Sequence, residues 1–218
     1  GPGSPRDYHC MNILFVYSLA DIYTVRHPLM SYENIHFGIS YLSAALKSSG
    51  HTTRLLVLSC MHRAKSTALV DEAIKTFSPD IMAFTSVATQ YPFIKGIADH
   101  VRENRPDIYL VVGGVHASLC SADLLKGSFD AVCIGEGEYP LVELAGQMEA
   151  GRTPGGIQNL WIRLPDGTIE RNSVRCFLQN LDELPFPDRD MWAPWIVQPA
   201  RSRHAVLLGI SNVSNSGL

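Results

Sequence analysis

Small, hydroxylated and acidic residues follow four apolar runs of strand character in this sequence, and they are the residues best suited to bind a ligand. Glycine lets a backbone approach a bulky group closely, and hydroxyls offer hydrogen bonds. The carboxyl ends of parallel strands share one edge of a sheet, where open α/β sheets bind ligands. The candidate binding residues are Ser18, Leu19, Thr85, Ser86, Val87, Ala88, Thr89, Gly113, Gly114, Val115, His116, Ala117, Gly135, Glu136, Gly137 and Glu138.

The same residues have a simpler interpretation, which the sequence leaves open. Small residues also make tight turns between strands and helices, and Glu136 and Glu138 favour a helix N-terminus without any ligand. The segment 135–140 has the first glycines of a dinucleotide fingerprint, but Pro140 replaces the last one.

No catalytic residue and no metal ligand is predicted. His116 stands alone after its glycine pair, and the other histidines lack zinc-site spacing. The five cysteines are widely spaced without a Cys-x-x-Cys pair, as in a protein of a reducing compartment. The sequence also lacks a Gly-x-Ser-x-Gly elbow and a phosphate-binding P-loop.

The elements that must position these residues alternate regularly. Apolar runs at 12–17, 51–58, 81–84, 108–112 and 131–134 predict five strands, and helical periodicity at 35–49, 70–77, 92–105, 119–126 and 141–151 predicts five helices. This alternation is typical of a doubly wound α/β domain with a five-stranded parallel sheet. We expect a Rossmann-like sheet with the flavodoxin-like order 2-1-3-4-5.

The chain divides into four segments. Residues 1–10, beginning Gly-Pro-Gly-Ser, are expected to be the remnant of an expression tag, and residues 11–151 form the ligand-binding domain. Residues 152–192 are predicted to be a small β-hairpin appendage and a proline-stiffened linker. Residues 193–218 are interpreted as a tail leading toward a further domain.

Composition excludes several classes of partner. A net charge of −3 and a pI near 6.2 do not suggest a nucleic-acid surface. The sequence has no apolar run of the roughly 20 residues that span a bilayer, and no secretory signal. We therefore expect a cytoplasmic protein without a membrane or nucleic-acid partner.

Several short motifs, taken in order, carry a family resemblance. They are residues 12–16, 37–42, 77–81, 85–86, 91–92, 112–117, 135–138 and 181–189, the last reading Leu-Asp-Glu-Leu-Pro-Phe-Pro-Asp-Arg. In this order and spacing the chain resembles the N-terminal cobalamin-binding domain of radical S-adenosylmethionine (SAM) enzymes.

The resemblance implies a corrinoid at the carboxyl edge of the sheet. Its nucleotide tail would lie along residues 85–89 and 113–117, and its corrin ring would lie near Ser18, Leu19 and residues 135–138. The partner would be a C-terminal radical SAM domain of the same protein, with a [4Fe-4S] cluster and SAM, and the whole enzyme would be a methyltransferase or a related enzyme.

Two departures qualify the resemblance. The Asp-x-His-x-x-Gly motif of many cobalamin-binding modules is missing after the first strand, so we expect cobalamin without a histidine lower ligand. The cluster motif Cys-x-x-x-Cys-x-x-Cys does not occur after Leu208. Either the sequence stops before this motif, or its tail is foreign, or the catalytic half has been lost, and we expect the first. Two alternatives are a relative that has lost cobalamin binding and serves substrate recognition, and an unrelated flavodoxin-like nucleotide-binding module.

Overall fold

The computed structural model describes residues 10–20, 28–29 and 35–196. The strands in these ranges are β1 (Asn12–Leu19), β2 (Thr52–Ser59), β3 (Ile81–Thr85), β4 (Tyr109–Gly113), β5 (Ala131–Cys133), β6 (Leu160–Arg163) and β7 (Ile169–Arg171). The helices are α1 (Phe37–Ser48), α2 (Arg63–Phe77), α3 (Tyr91–Asn104), α4 (Val115–Leu124) and α5 (Glu138–Glu149), with 3₁₀ helices at Leu181–Glu183 and Asp190–Trp195.

The predicted α/β fold and the order 2-1-3-4-5 of its parallel strands are confirmed, but the sheet has seven strands instead of the predicted five. The sheet has the order β2-β1-β3-β4-β5-β6-β7, and its first five strands are parallel. The hairpin forms as predicted but is not a separate appendage, because β6 pairs antiparallel with β5 and β7 pairs with β6. The hairpin therefore covers an edge that would otherwise offer unpaired backbone groups.

The core has two layers, one on each face of the sheet, because the central strands are apolar on both sides. In β1, Ile13 and Phe15 face α1 and α5, while Leu14 and Val16 face α2, α3 and α4. All four side chains are at most 2% exposed. This burial explains why β1 reads as a continuous rather than an alternating apolar run.

Helix α4 begins four residues earlier than the sequence predicts. It starts at Val115, directly after Gly114, whose φ of +95° turns the chain out of β4. Leu119, the predicted first residue of the helix, is 79% exposed. Apolar periodicity misplaced the start because an exposed leucine has the same pattern as a buried one.

The proline-rich segment after the hairpin packs on α1. Asp188 accepts hydrogen bonds of 2.6 Å from Ser43 Oγ and from Lys47 Nζ. The indole of Trp192 is fully buried and donates from Nε1 to Ser40 Oγ at 2.8 Å. The division of the chain into domains stays a prediction, and residues 1–9 and 197–218 lie outside the described residues.

No helix in the described ranges is long and apolar enough to cross a membrane.

Candidate ligand-binding site

A cavity of about 250 Å³ opens at the carboxyl edge of the sheet, between α1 and α5. Its floor consists of one side chain from each of the parallel strands β1, β3, β4 and β5. These are Phe15, Ala83, Val111 and Cys133, while Ile39 and Leu42 of α1, Leu141 of α5 and Phe177 after β7 form the walls. The lining is largely apolar and has few polar side chains, which is the usual composition of a small-molecule binding site.

Glycines bring backbone to the rim of this cavity. Gly114 has a φ of +95°, and a Cβ there would lie 2.9 Å from Ser86 O and 3.0 Å from Thr85 Oγ1. A Cβ on Gly137 would lie 3.1 Å from Leu42 Cδ2 and 3.4 Å from Cys133 Sγ. The first glycine is required by the turn itself, and the second keeps the space above β5 open.

Seven of the sixteen predicted site residues line the cavity. They are Thr85, Gly113, Gly114, Gly135, Glu136, Gly137 and Glu138. They come from the ends of β3, β4 and β5, so the structure brings together three of the four predicted strand ends.

The other nine predicted residues do not line the cavity. Ser18 is buried, and its Oγ donates to Gln90 Oε1 at 2.7 Å, which ties the end of β1 to the start of α3. The His116 ring packs on Tyr91, with centroids 4.7 Å apart. Leu19 is half-buried, Ser86 and Ala117 are buried, and Val87, Ala88, Thr89 and Val115 are exposed.

Glu136 and Glu138 differ in their surroundings. Burial raises the pKa of the Glu138 carboxyl, and the neighbouring Glu136 raises it further, while backbone N–H groups oppose the shift. Glu136 accepts a 2.9 Å hydrogen bond from Leu178 N, and its carbonyl accepts one of 2.8 Å from Asn159 Nδ2. Glu136 thus fixes the segment that carries Phe177, a role beyond the capping expected of it.

Sequence reasoning missed His36, Phe177 and the floor residues. Phe15 reads as an ordinary core residue, and Phe177 lies in a stretch without periodicity, far along the chain from Gly137. His36 had one usable signal, its place directly before the Phe37-Gly38 motif at the start of a predicted helix. That position makes it the N-cap of α1, beside the sheet edge.

Cys133 is expected to be the least reactive thiol in the described part of the chain. Burial raises the pKa of the Cys133 thiol to about 12. The thiol donates a hydrogen bond to the backbone carbonyl of Glu136, with Sγ and O 3.8 Å apart. Because the thiolate is the nucleophile, iodoacetamide at pH 8 should label the exposed Cys176 at least about tenfold faster than Cys133. Peptide mass mapping checks the two rates, and equal labelling in the folded protein would contradict this burial.

Within the described residues, no group of three or more His, Cys, Asp or Glu side chains is arranged to hold a metal ion.

Comparison with known proteins identifies the family. The profile of the B12 binding domain matches residues 30–145. The chain is 27% identical over 175 residues to the anaerobic magnesium-protoporphyrin IX monomethyl ester cyclase of Rubrivivax gelatinosus, covering 77% of this chain and 31% of the relative. It is 28% identical over 160 residues to an uncharacterized methyltransferase of Pyrococcus horikoshii, covering 71% and 33%. The chain thus spans about a third of the length of these relatives.

Solved structures agree at the level of the fold. The cobalamin-dependent SAM radical enzyme OxsB with aqua-cobalamin bound superposes with a TM-score of 0.66 at 16% identity, covering 86% of this chain and 25% of that one. The radical SAM methyltransferase TsrM of Kitasatospora setae, with cobalamin and a [4Fe-4S] cluster bound, gives 0.61 at 20% identity, covering 82% and 31%. With the profile matching more than half of its residues, the chain belongs to the B12-binding domain family.

Proposed function

We propose that this domain holds cobalamin at the carboxyl edge of its sheet, with the nucleotide tail in the cavity between α1 and α5 and the corrin ring across its mouth. The observation that carries the proposal is the open, apolar cavity bordered by Gly113, Gly114 and Gly137, in a chain whose family is the B12-binding domain. The alternative of an unrelated flavodoxin-like module does not account for that family.

The residues of the cavity fit such a tail. The nucleotide tail of cobalamin ends in dimethylbenzimidazole, a flat and largely apolar base, joined through a ribose and a phosphate. Phe15, Ala83 and Val111 offer the base an apolar floor, and Thr85 offers the sugar and phosphate a hydroxyl. Backbone at Gly113 can approach the tail because no Cβ projects from it.

The cobalt end of the ligand is proposed to lie near Ser18, Leu19, Glu136 and Glu138. When bound, cobalamin supplies a cobalt ion that carries a methyl group or electrons. Neither Ser18 nor Leu19 offers an imidazole, so these two residues at the end of β1 would hold the ring by shape and would supply no histidine ligand to the cobalt. The chain's own part in the chemistry is to bind and orient the corrinoid.

The whole protein is proposed to be a radical SAM methyltransferase or a related enzyme. The matched relatives are about three times as long as the matched region, and their names include a cyclase and a methyltransferase. The [4Fe-4S] cluster and SAM would then be held by a C-terminal domain of the same protein, with this domain presenting the corrinoid to it.

Filling the cavity should weaken cobalamin binding without unfolding the domain. The Gly137→Val variant would place its branched side chain against Leu42 and Cys133, and we expect at least about tenfold weaker binding of hydroxocobalamin, since the space for the ligand is lost. The readout is corrinoid absorbance that stays with the protein after desalting. Gly146→Val is the matched control, because Gly146 lies in α5 with open space around it, and far-ultraviolet circular dichroism reports the fold of both.

The outcomes separate the candidate functions. Retention by the wild type and by Gly146→Val, with loss in Gly137→Val, supports the proposal. A wild type that retains no corrinoid would instead favour the family-related domain that has lost cobalamin binding and serves substrate recognition. That alternative calls for a groove plugged by bulky groups, whereas the described residues leave it open.

A further inference from the structure

His36 has one ring nitrogen committed to the protein. It is the N-cap of α1, and its Nδ1 accepts a hydrogen bond from Ile39 N at 3.3 Å. A nitrogen that accepts carries no proton, so the neutral imidazole must hold its proton on Nε2. The cap therefore fixes the tautomer of a histidine that lines the cavity.

The neighbours of His36 keep its ring neutral and in place. Burial lowers the pKa of this imidazole, which disfavours a second proton at neutral pH. The ring meets Tyr17 edge-on with centroids 5.5 Å apart, and Tyr17 in turn meets Trp192 at 5.6 Å. The His36 ring is thus held by its contact with Tyr17 and by its hydrogen bond from Ile39 N, and its Nε2–H remains as a donor.

Donors are scarce around the cavity. Among the described residues that line it, His36 carries the one side-chain N–H group, while Glu136 and Glu138 bring carboxyl oxygens and Thr85 a hydroxyl. No lysine or arginine is in that described lining. A ligand part rich in acceptors, such as a phosphodiester or an unprotonated ring nitrogen, can accept from His36 Nε2–H or from the Thr85 hydroxyl, and of the two only His36 Nε2–H is purely a donor.

We propose that His36 Nε2–H donates a hydrogen bond to an acceptor of the nucleotide tail, so that His36 favours corrinoids with a tail over those without one. This inference rests on the proposed function. It also assigns His36 a role other than that of a cobalt ligand, because Nδ1 is engaged by the helix and Nε2 holds a proton. His36 is a specificity residue for the tail.

Two variants separate the donor from the cap. Asparagine and aspartate are both good N-cap residues, but only His36→Asn keeps an N–H donor. We expect His36→Asp to bind hydroxocobalamin about tenfold more weakly than the wild type, a typical effect of losing one hydrogen bond, and His36→Asn to stay within about threefold. Cobinamide, which lacks the nucleotide tail, should bind equally to all three proteins.

Absorbance titrations with both corrinoids, at low and high salt, test this, and thermal unfolding checks that both variants keep their cap. Cobalamin affinity unchanged in His36→Asp would overturn the inference and leave the proposed function standing, as would equal losses for cobalamin and cobinamide. A loss that vanishes at high salt would assign the effect to the new charge and would also overturn it. A wild type that binds neither corrinoid would overturn the proposed function, and this inference with it.

Discussion

Replacing Trp192 with alanine is expected to lower the free energy of unfolding by about 3–5 kcal/mol. Trp192 is fully buried and belongs to the core layer that includes α1 and α5. Removing its indole leaves a large hole and strands the Ser40 hydroxyl, which is also buried. Urea unfolding followed by circular dichroism measures the change, and a loss below about 1 kcal/mol would mean that the segment is not part of the folded core.

Two more conservative variants separate the contribution of the Trp192 hydrogen bond from that of its packing. Trp192→Phe keeps most of the ring but removes the Nε1–H that reaches Ser40 Oγ, so we expect a loss of about 1–3 kcal/mol from the unsatisfied hydroxyl and the smaller ring. Combining Trp192→Phe with Ser40→Ala should recover part of that loss, because the double variant lacks both the Nε1–H donor and the buried Ser40 hydroxyl that would otherwise have no partner. A double-mutant cycle without such coupling would contradict the hydrogen bond.

Replacing Gly114 with alanine is expected to cost about 2–4 kcal/mol of stability and to weaken corrinoid binding. The backbone of Gly114, with φ +95° and ψ −178°, lies in a region that is essentially restricted to glycine, and this alone costs an L-residue about 1–3 kcal/mol. The added methyl would in addition approach Ser86 O to 2.9 Å, a backbone atom that cannot swing away. The turn between β4 and α4 must then shift, and with it the rim of the cavity. Chemical unfolding and cobalamin titration measure the two effects.

The neighbouring glycine is the matched control. A Cβ on Gly113 would make only an ordinary contact of 3.6 Å with Cys133 Cβ, and Gly113 lacks the positive φ of Gly114. Gly113→Ala should therefore change the free energy of unfolding by less than about 1 kcal/mol. Equal destabilisation by the two substitutions would show that the conformation of Gly114 is not what constrains this turn.

The strand order could be predicted from sequence because its determinants are local. Apolar runs buried on both faces, such as residues 13–16, alternate with helical periodicity, and right-handed crossovers leave few arrangements. The carboxyl ends of β3, β4 and β5 could be placed together for the same reason, and seven predicted site residues do line one cavity.

The remaining features depend on contacts between distant parts of the chain. The pairing of β6 with β5 follows from the open edge of the sheet rather than from any local signal in residues 160–163. Phe177 reaches the cavity because Glu136 holds the backbone of Leu178. His116 follows two glycines, which predicts a site residue, but its ring packs on Tyr91. The histidine that lines the cavity is His36, which lies at the start of α1.

The backbone contact between Leu29 and the last 3₁₀ helix joins two parts of the chain that are distant in sequence. Leu29 N donates to Trp195 O at 3.0 Å, and Leu29 forms a parallel bridge with Ile196. The bridge closes a loop of the chain that contains every strand from β2 to β7, so the segment after the hairpin is anchored at its far end as well as on α1.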